Sequence, residues 1–532
     1  MSKEQLESDV LDGKLPGSFE YDLKHRNSIV LVPQPSDDPN DPLNWPQHKK
    51  YTILAILSVT AFSGLASSLA NQLGLEAQAE LYGKSLTELS YTVGLSPLLV
   101  PVIQVVSAAV AGIAAGPLFI VPLAHVFGRA SVIFWTLLGC IACGIWSAEM
   151  TGPDQYIGFV LSRLFGGIFG SVPSILGAQM LMDLFFLHER GRAFTTFHMC
   201  FLMGTVAGPT FGGFVVQHVA WQFEFWWTVA LQGAVALMVL FFLPETGYNR
   251  DGGKVYPKQP EEFLANRVAT FLPGTKVAHR DGLREAPRSA VAQFLIGFSP
   301  VGLLVGIYAF GFFGWFVSVN TLLTVFLQEP EIAGGYGFEP QQNAAFSFAL
   351  WIGVICAQIW GSIFNDRIPL KLAKKAGGLW KPEYRLHSLW IPSIFFMPIG
   401  LGIFGAALEY HLHYMVLALG SFLITFAAFC SIPVGINYLI ECYIDHSTEV
   451  ACIMGTYRLT LGLIVPFFKD QWIDSVGVGW VFGMMAFFSL FAFSLVVVLM
   501  FYGHSLRQIR FGILSKDEEG VKVTDQDQES SS

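Results

Sequence analysis

Gly204-Thr205-Val206-Ala207-Gly208-Pro209-Thr210-Phe211-Gly212-Gly213 sits inside a long apolar run. Gly204 and Gly208 are four apart, so they share one helix face and let a neighbouring helix come close. Pro209 removes a backbone donor and crowds the preceding turn, which predicts a bend, and the Gly212-Gly213 pair widens it. A smooth face ending in a bend suits two helices that must pack and also move. One small-xxx-small pair would say only that two membrane helices touch, because Gly and Pro are common in such helices. The whole string is more specific.

The surroundings of this string are apolar throughout. Of 532 residues, 53% are hydrophobic and 13% charged, and the mean hydropathy is +0.51. A soluble protein carries roughly 25% charge, so the composition predicts a chain dissolved in lipid. The net charge of −9 says little, because the sign of individual loops matters more than their sum. The cysteines lie in or beside apolar segments and imply no disulfide framework. Cys140 and Cys143 read as small packing residues on a hydrophobic helix. The first 50 residues are polar and lack a cleavable signal pattern, so the first apolar segment is expected to act as signal and anchor together.

A span needs about 20 apolar residues. On that ruler helix 1 falls at 51–74, helix 2 ends near 126, and helices 3 to 6 occupy 131–149, 157–182, 193–217 and 222–243. Helices 7 to 12 occupy 296–326, 343–364, 388–408, 414–440, 450–468 and 478–502. This predicts an all-α integral membrane protein with twelve transmembrane helices in two six-helix halves, 51–243 and 293–502. A tail at 1–50, a central loop at 244–292 with one surface helix, and a tail at 503–532 complete the chain. Both tails are expected to be disordered.

Lysine and arginine decide the orientation. The first tail, the loops after helices 2, 4 and 8, the central loop and the last tail hold nearly all of them. The other side holds Lys84 and Lys469, and Arg163 and Arg458 lie within spans. The basic side is expected to be cytoplasmic, with both termini on it.

The string at 204–213 resembles the antiporter signature on the fifth helix of the major facilitator superfamily. The run Asp41-Pro42-Leu43-Asn44-Trp45-Pro46 before helix 1 is similar to fungal drug:proton antiporters of the twelve-helix type, and the resemblance extends over about residues 38–505. It implies the major facilitator fold, a pathway lined by helices 1, 4, 7 and 10, and the proton gradient as energy source. It also implies a monomer that meets a small-molecule substrate and the lipid bilayer, in the plasma membrane or the vacuolar membrane.

Three further elements carry the resemblance. Val121-Pro122-Leu123-Ala124-His125-Val126-Phe127-Gly128-Arg129 is similar to the superfamily's G-x-x-x-D-x-x-G-R-[RK] loop. Gly128 and Arg129 match, whereas His125 replaces the acid and Ala130 the second base. His125 is either a group that titrates near neutral pH or a polar spacer at a helix end. Asp183 with Glu189-Arg190-Gly191 resembles the D-x-F-x-x-x-E-R-G loop, which implies a cytoplasmic gate paired with Arg129; a solvated helix end is the other reading. Arg163-Leu164-Phe165-Gly166-Gly167 is similar to the R-x-x-x-G element of helix 4. An arginine in lipid costs about 2.5–3.5 kcal/mol or more, so Arg163 either faces the cavity and couples protons or bonds backbone carbonyls. Arg458 invites the same reasoning without motif support.

The acids nearest the membrane, Glu224 and Glu441, are candidates for proton coupling, or interfacial groups. Deeper polar side chains are candidates for substrate binding: Asn71, Gln72, Gln179, Asn320, Asn437 and Tyr438. Trp315, Phe316 and Phe348 are candidate aromatic walls for an apolar or cationic ligand, unless they face lipid or core.

Gly83-Lys84-Ser85 does not complete a phosphate loop, because position 78 is Gln. The sequence shows no metal-spaced His/Cys cluster, no nucleophile elbow and no basic nucleic-acid patch, so it predicts no enzyme, no cofactor and no nucleic-acid partner. The expected function is proton-coupled efflux of small amphipathic compounds by alternating access. The alternatives are proton-coupled uptake of an organic cation such as a polyamine, or a nutrient sensor that does not transport.

One stretch is too long for this plan. Thr87 to Gly128 would make a helix of about 60 Å at 1.5 Å per residue, against a lipid core of about 30 Å. The surplus concentrates in Ser96–Val110, which holds Pro97 and Pro101. It is either a retained intron or a real insertion with a broken helix. A transcript lacking these codons is the outcome expected for the intron, and sequencing the message across them decides.

Overall fold

The computed structural model describes residues 41–74, 78, 81–82, 105–248, 260, 262–272, 285–328, 335–376, 381–443 and 446–507. Most of the Ser96–Val110 surplus therefore lies outside the described residues, as do both tails apart from their span-proximal ends. Among the described residues twelve helices are long and apolar enough to cross a membrane. We label them α1 (Gln47–Gln72), α2 (Ala108–Phe127), α3 (Arg129–Glu149), α4 (Pro153–Leu184), α5 (Leu187–Val216) and α6 (Phe223–Phe242). The second half comprises α7 (Pro300–Gln328), α8 (Pro340–Lys375), α9 (Pro382–Glu409), α10 (Tyr414–Cys442), α11 (Ser447–Val476) and α12 (Val478–Arg507).

Several elements run further than hydropathy alone indicates. α8 continues through the basic residues up to Lys375, and α11 reaches Val476. Charged turns leave lipid without having to leave the helix, so an apolar ruler ends too early. The central segment holds two described helices, Phe263–Phe271 and Glu285–Phe298, where one was expected. Glycine is required at two sharp joins: Gly128 between α2 and α3 has φ +88°, and Gly477 between α11 and α12 has φ +83°.

Close backbone approach organises the first half. Gly204, Gly208 and Gly212 lie in register against the carbonyls of Phe62, Ala66 and Ala70, so α5 rides directly on the backbone of α1. Gly64 and Gly170 do the same between α1 and α4, and Gly112 and Gly167 between α2 and α4. A Cβ at any of these positions would overlap a backbone atom that cannot move aside. Lipid offers no hydrophobic drive for helix association, so such contact supplies much of the attraction. α5 runs as one helix through Pro209, whose missing donor leaves one turn without its bond. Gly213 faces a different neighbour, the start of α8 at Pro340 in the other half.

The second half is built otherwise. Gly306 and Gly314 of α7 meet the side chains of Tyr457 and Leu461, and Gly462 of α11 meets Val317. Side chains fill these seams.

Gly208→Val is expected to destabilise the protein by about 1–3 kcal/mol through overpacking and to block switching. Gly233→Val, at a glycine with nothing near its missing Cβ, is expected to leave both unchanged. Thermal unfolding in detergent and flux in proteoliposomes check the pair.

Candidate functional site

The two halves meet around a cavity of about 40 Å³. Its walls come from α1, α2 and α5 of the first half and from α7 and α11 of the second. Of helices 1, 4, 7 and 10, expected from the resemblance to line the pathway, α1 and α7 contribute side chains to this cavity and α4 and α10 contribute none among the described residues. The space holds only a few waters, so an organic ligand fits once the halves part.

Contacts between the halves lie on both sides of the cavity. On the side away from the basic loops, Gln72 Nε2 donates to Asn320 O at 2.8 Å, and Gln328 Nε2 donates to Leu73 O at 2.9 Å. Trp351 Nε1 donates to Thr210 Oγ1 at 3.0 Å, one residue past Pro209. On the basic side, Thr456 Oγ1 donates to Ala114 O at 2.9 Å, tying α11 to α2. Below that tie, His125 Nε2 lies 4.0 Å from Glu449 Oε1 across the halves. Ser289 Oγ donates to the same oxygen at 2.7 Å, and His446 Nδ1 stands 3.9 Å from the other. His125 thus faces an acid of the opposite half, and the spacing gave no sign of Glu449.

The candidates for substrate binding divide. Gln72 and Asn320 line the cavity and bond each other across the halves. Phe316 also lines it. Trp315 does not: it is buried against Trp472 and Phe488 of α11 and α12. Consecutive residues on a helix point about 100° apart, so only one of that pair can face inward. Tyr438 is fully buried in the neighbourhood of Glu383, Cys442 and Gly503, away from the cavity. Asn71, Gln179 and Asn437 are absent from its walls as well, and Phe348 is exposed beside Phe214 and Trp351.

The candidates for proton coupling need larger corrections. Arg163 is buried but does not reach the cavity. Its Nη2 donates to Ser68 O at 2.5 Å and Ser67 O at 3.3 Å, with Phe225 under the guanidinium at 5.0 Å. Of the two roles open from sequence, the structure shows the bond to backbone carbonyls. Glu224 is not interfacial: it is 0% exposed, packed against Gly74 and Gly212. Neither of its oxygens has a hydrogen-bond partner among the described residues, and it lies in the field of Arg163 without an ion-pair contact. Glu441 lies at the basic end, accepting from Arg385 Nε at 2.5 Å, and is an ion-pair partner within the second half.

The gate candidates gather at the basic end. Arg129 is ion-paired with Asp183. Glu245 Oε2 accepts from Ala130 N at 3.0 Å, satisfying an open donor at the start of α3. Glu189 Oε1 accepts from Gln47 Nε2 at 2.9 Å. The side chain of Arg190 lies outside the described residues. In the second half Arg507 pairs with Glu383 at 2.8 Å. Gly204, Gly208 and Gly212 are occupied with helix packing, as described above.

Sequence reasoning gave least weight to the residue that stands out here. Arg458 of α11 lines the cavity, 5.3 Å from the ring of Phe201 and 5.6 Å from that of Phe313. The only signal in the sequence was a lone charge within an apolar span.

Twelve spans in two halves, with cavity space shared between the halves, define a multi-pass membrane transporter. The Major Facilitator Superfamily profile matches residues 51–466, and the chain belongs to that family. Among its relatives, the efflux pump radE of Floropilus chiversii is 27% identical, over 88% of this chain and 83% of its own length. The MFS-type transporter hepF of Aspergillus oryzae is 26% identical, over 93% of this chain and 98% of its own length. Among solved structures, the proton:xylose symporter XylE superposes with TM-score 0.58 at 14% identity, covering 86% of this chain and 97% of that one. XylE from E. coli in a partially occluded inward-open form gives 0.55 at 12% identity, covering 88% and 99%.

Phe316→Ala and Trp315→Ala are each expected to cost roughly 3–5 kcal/mol, because both side chains are buried, but only Phe316→Ala is expected to weaken ligand affinity, at least tenfold. Comparing KM with Tm for the two neighbours checks the assignment.

Proposed function

We propose that the chain is a proton-coupled exporter of small amphipathic compounds that works by alternating access. The observation that carries this reading is Glu224, a carboxyl without exposure and without a hydrogen-bond partner among the described residues, packed against Gly212 of the α1–α5 seam. An ionised carboxylate in such a place is costly, so its charge state is tied to how the helices around it stand. Gaining a proton from one side and losing it to the other couples that charge to the switch. Arg163, fixed on α1 and close enough to be felt, sets the field in which Glu224 exchanges its proton.

Export is supported by the naming of radE as an efflux pump and by the string at 204–213 that resembles the antiporter signature. The latches at Gln72–Asn320 and His125–Glu449 supply the two gates that alternate. In this reading the basic end faces the cytoplasm. Cation uptake gains no comparable support, because among the described residues the cavity walls carry no carboxylate.

The test is transport by the purified chain in proteoliposomes with an imposed pH gradient, screened against dyes, azoles and spermidine. Gradient-driven movement of dyes or azoles is expected, with Glu224→Gln losing it about a hundredfold while keeping substrate exchange without a gradient. Spermidine moving instead, or full gradient coupling in Glu224→Gln, would replace this reading.

A further inference from the structure

Two arginines are buried within the spans, and the protein treats them differently. Arg163 spends donors on the carbonyls of Ser67 and Ser68 and has Glu224 nearby. Arg458 is 9% exposed and makes no hydrogen bond or ion pair with any described residue; its Nε is buried without a partner. A guanidinium carries five N–H donors in a fixed fork shaped to a carboxylate. Here that fork stands at the cavity wall between Phe201 of α5 and Phe313 of α7, one ring from each half.

We propose that Arg458 receives the carboxylate of an amphipathic organic anion, and that such anions are the substrate class of the cavity. The proposal deepens the transporter reading above and rests on it. The rest of the wall suits such a ligand. Gln72, Asn320, Thr205 and Thr321 offer neutral polar groups, while Leu65 and Phe316 belong to an apolar majority. Among the described residues no aspartate or glutamate lines the space, so an organic cation meets one fixed positive charge and no described carboxylate to offset it. The titratable neighbour that feels Arg458 is His198, whose ring supplies no negative charge. The two rings position the guanidinium through their π faces and leave its donors for the ligand. A bound carboxylate supplies the countercharge that the protein withholds.

The test measures binding separately from transport. Purified full-length chain in detergent is titrated by calorimetry with 1-naphthaleneacetate, its neutral amide 1-naphthaleneacetamide, and protonated 1-naphthylethylamine. The acetate is expected to bind at least tenfold tighter than the amide, with the amine weakest. Arg458→Gln is expected to bring the acetate down to the amide and leave the amide unchanged, while Arg458→Lys restores part of the preference. An acetate no tighter than the amide, a preference that survives Arg458→Gln, or an amine that binds best would each overturn the proposal. Flux of the same three compounds in proteoliposomes with a pH gradient separates the two ideas. Anion preference in binding with no flux of any compound supports the carboxylate site and counts against the transporter reading. Gradient-driven flux without anion preference does the opposite.

Discussion

Backbone lying on backbone between α1 and α5 is the contact on which the rest of the molecule depends. Gly204, Gly208 and Gly212 repeat every four residues and meet the carbonyls of Phe62, Ala66 and Ala70 at the same interval. This ridge holds the two helices closer than any side chain would permit. α1 also carries the carbonyls that receive Arg163, as well as Gln72 at the cavity. The seam therefore fixes where the cavity wall, the buried arginine and Glu224 stand relative to one another. Where lipid replaces water, dispersion between close surfaces takes over much of what the hydrophobic effect does in soluble proteins.

Charge inside the bundle follows a second rule. Three arginines at the basic end each have a carboxylate: Arg129 with Asp183, Arg385 with Glu441, Arg507 with Glu383. These pairs join helix ends to one another within one half. The contacts that cross between halves are mostly of another kind, neutral amide and hydroxyl bonds, with Gln217 donating to Glu339 and His125 facing Glu449 at the margins. Neutral bonds exchange readily for bonds to water when a gate opens, since their net contribution is only about 0.5–1.5 kcal/mol each. Strong pairs hold what must stay together, and weak ones hold what must separate.

The sequence made the spans and the glycine seam legible, because both are periodic and local. Twelve apolar stretches of the right length and a string of glycines at spacing four need no tertiary knowledge to read. The direction of each polar side chain was not legible. Trp315 and Phe316 are adjacent, and only the rotation of α7 in the bundle decides which one sees the cavity. Tyr438 and Asn437 were placed inward by the resemblance, yet α10 presents neither to the cavity. Glu224 looked interfacial because it starts a helix, whereas α1 and α5 close over it. Residues 83–104, where the sequence plan was least comfortable, lie outside the described structure.

The contrast between the two halves bears on how this protein can change over generations. In the first half, the glycines at the α1–α5, α1–α4 and α2–α4 seams abut main chain, and almost any replacement at those seams is a collision. In the second, the seams between α7 and α11 are filled by Tyr457, Leu461 and Val317, which can be traded for other shapes at modest cost. Those same two helices supply Phe313, Phe316, Asn320 and Arg458 to the cavity. Chemical diversification is thus free to proceed on the tolerant wall while the intolerant one preserves the machine, and descendants of one ancestor can take up new cargo without relearning how to fold.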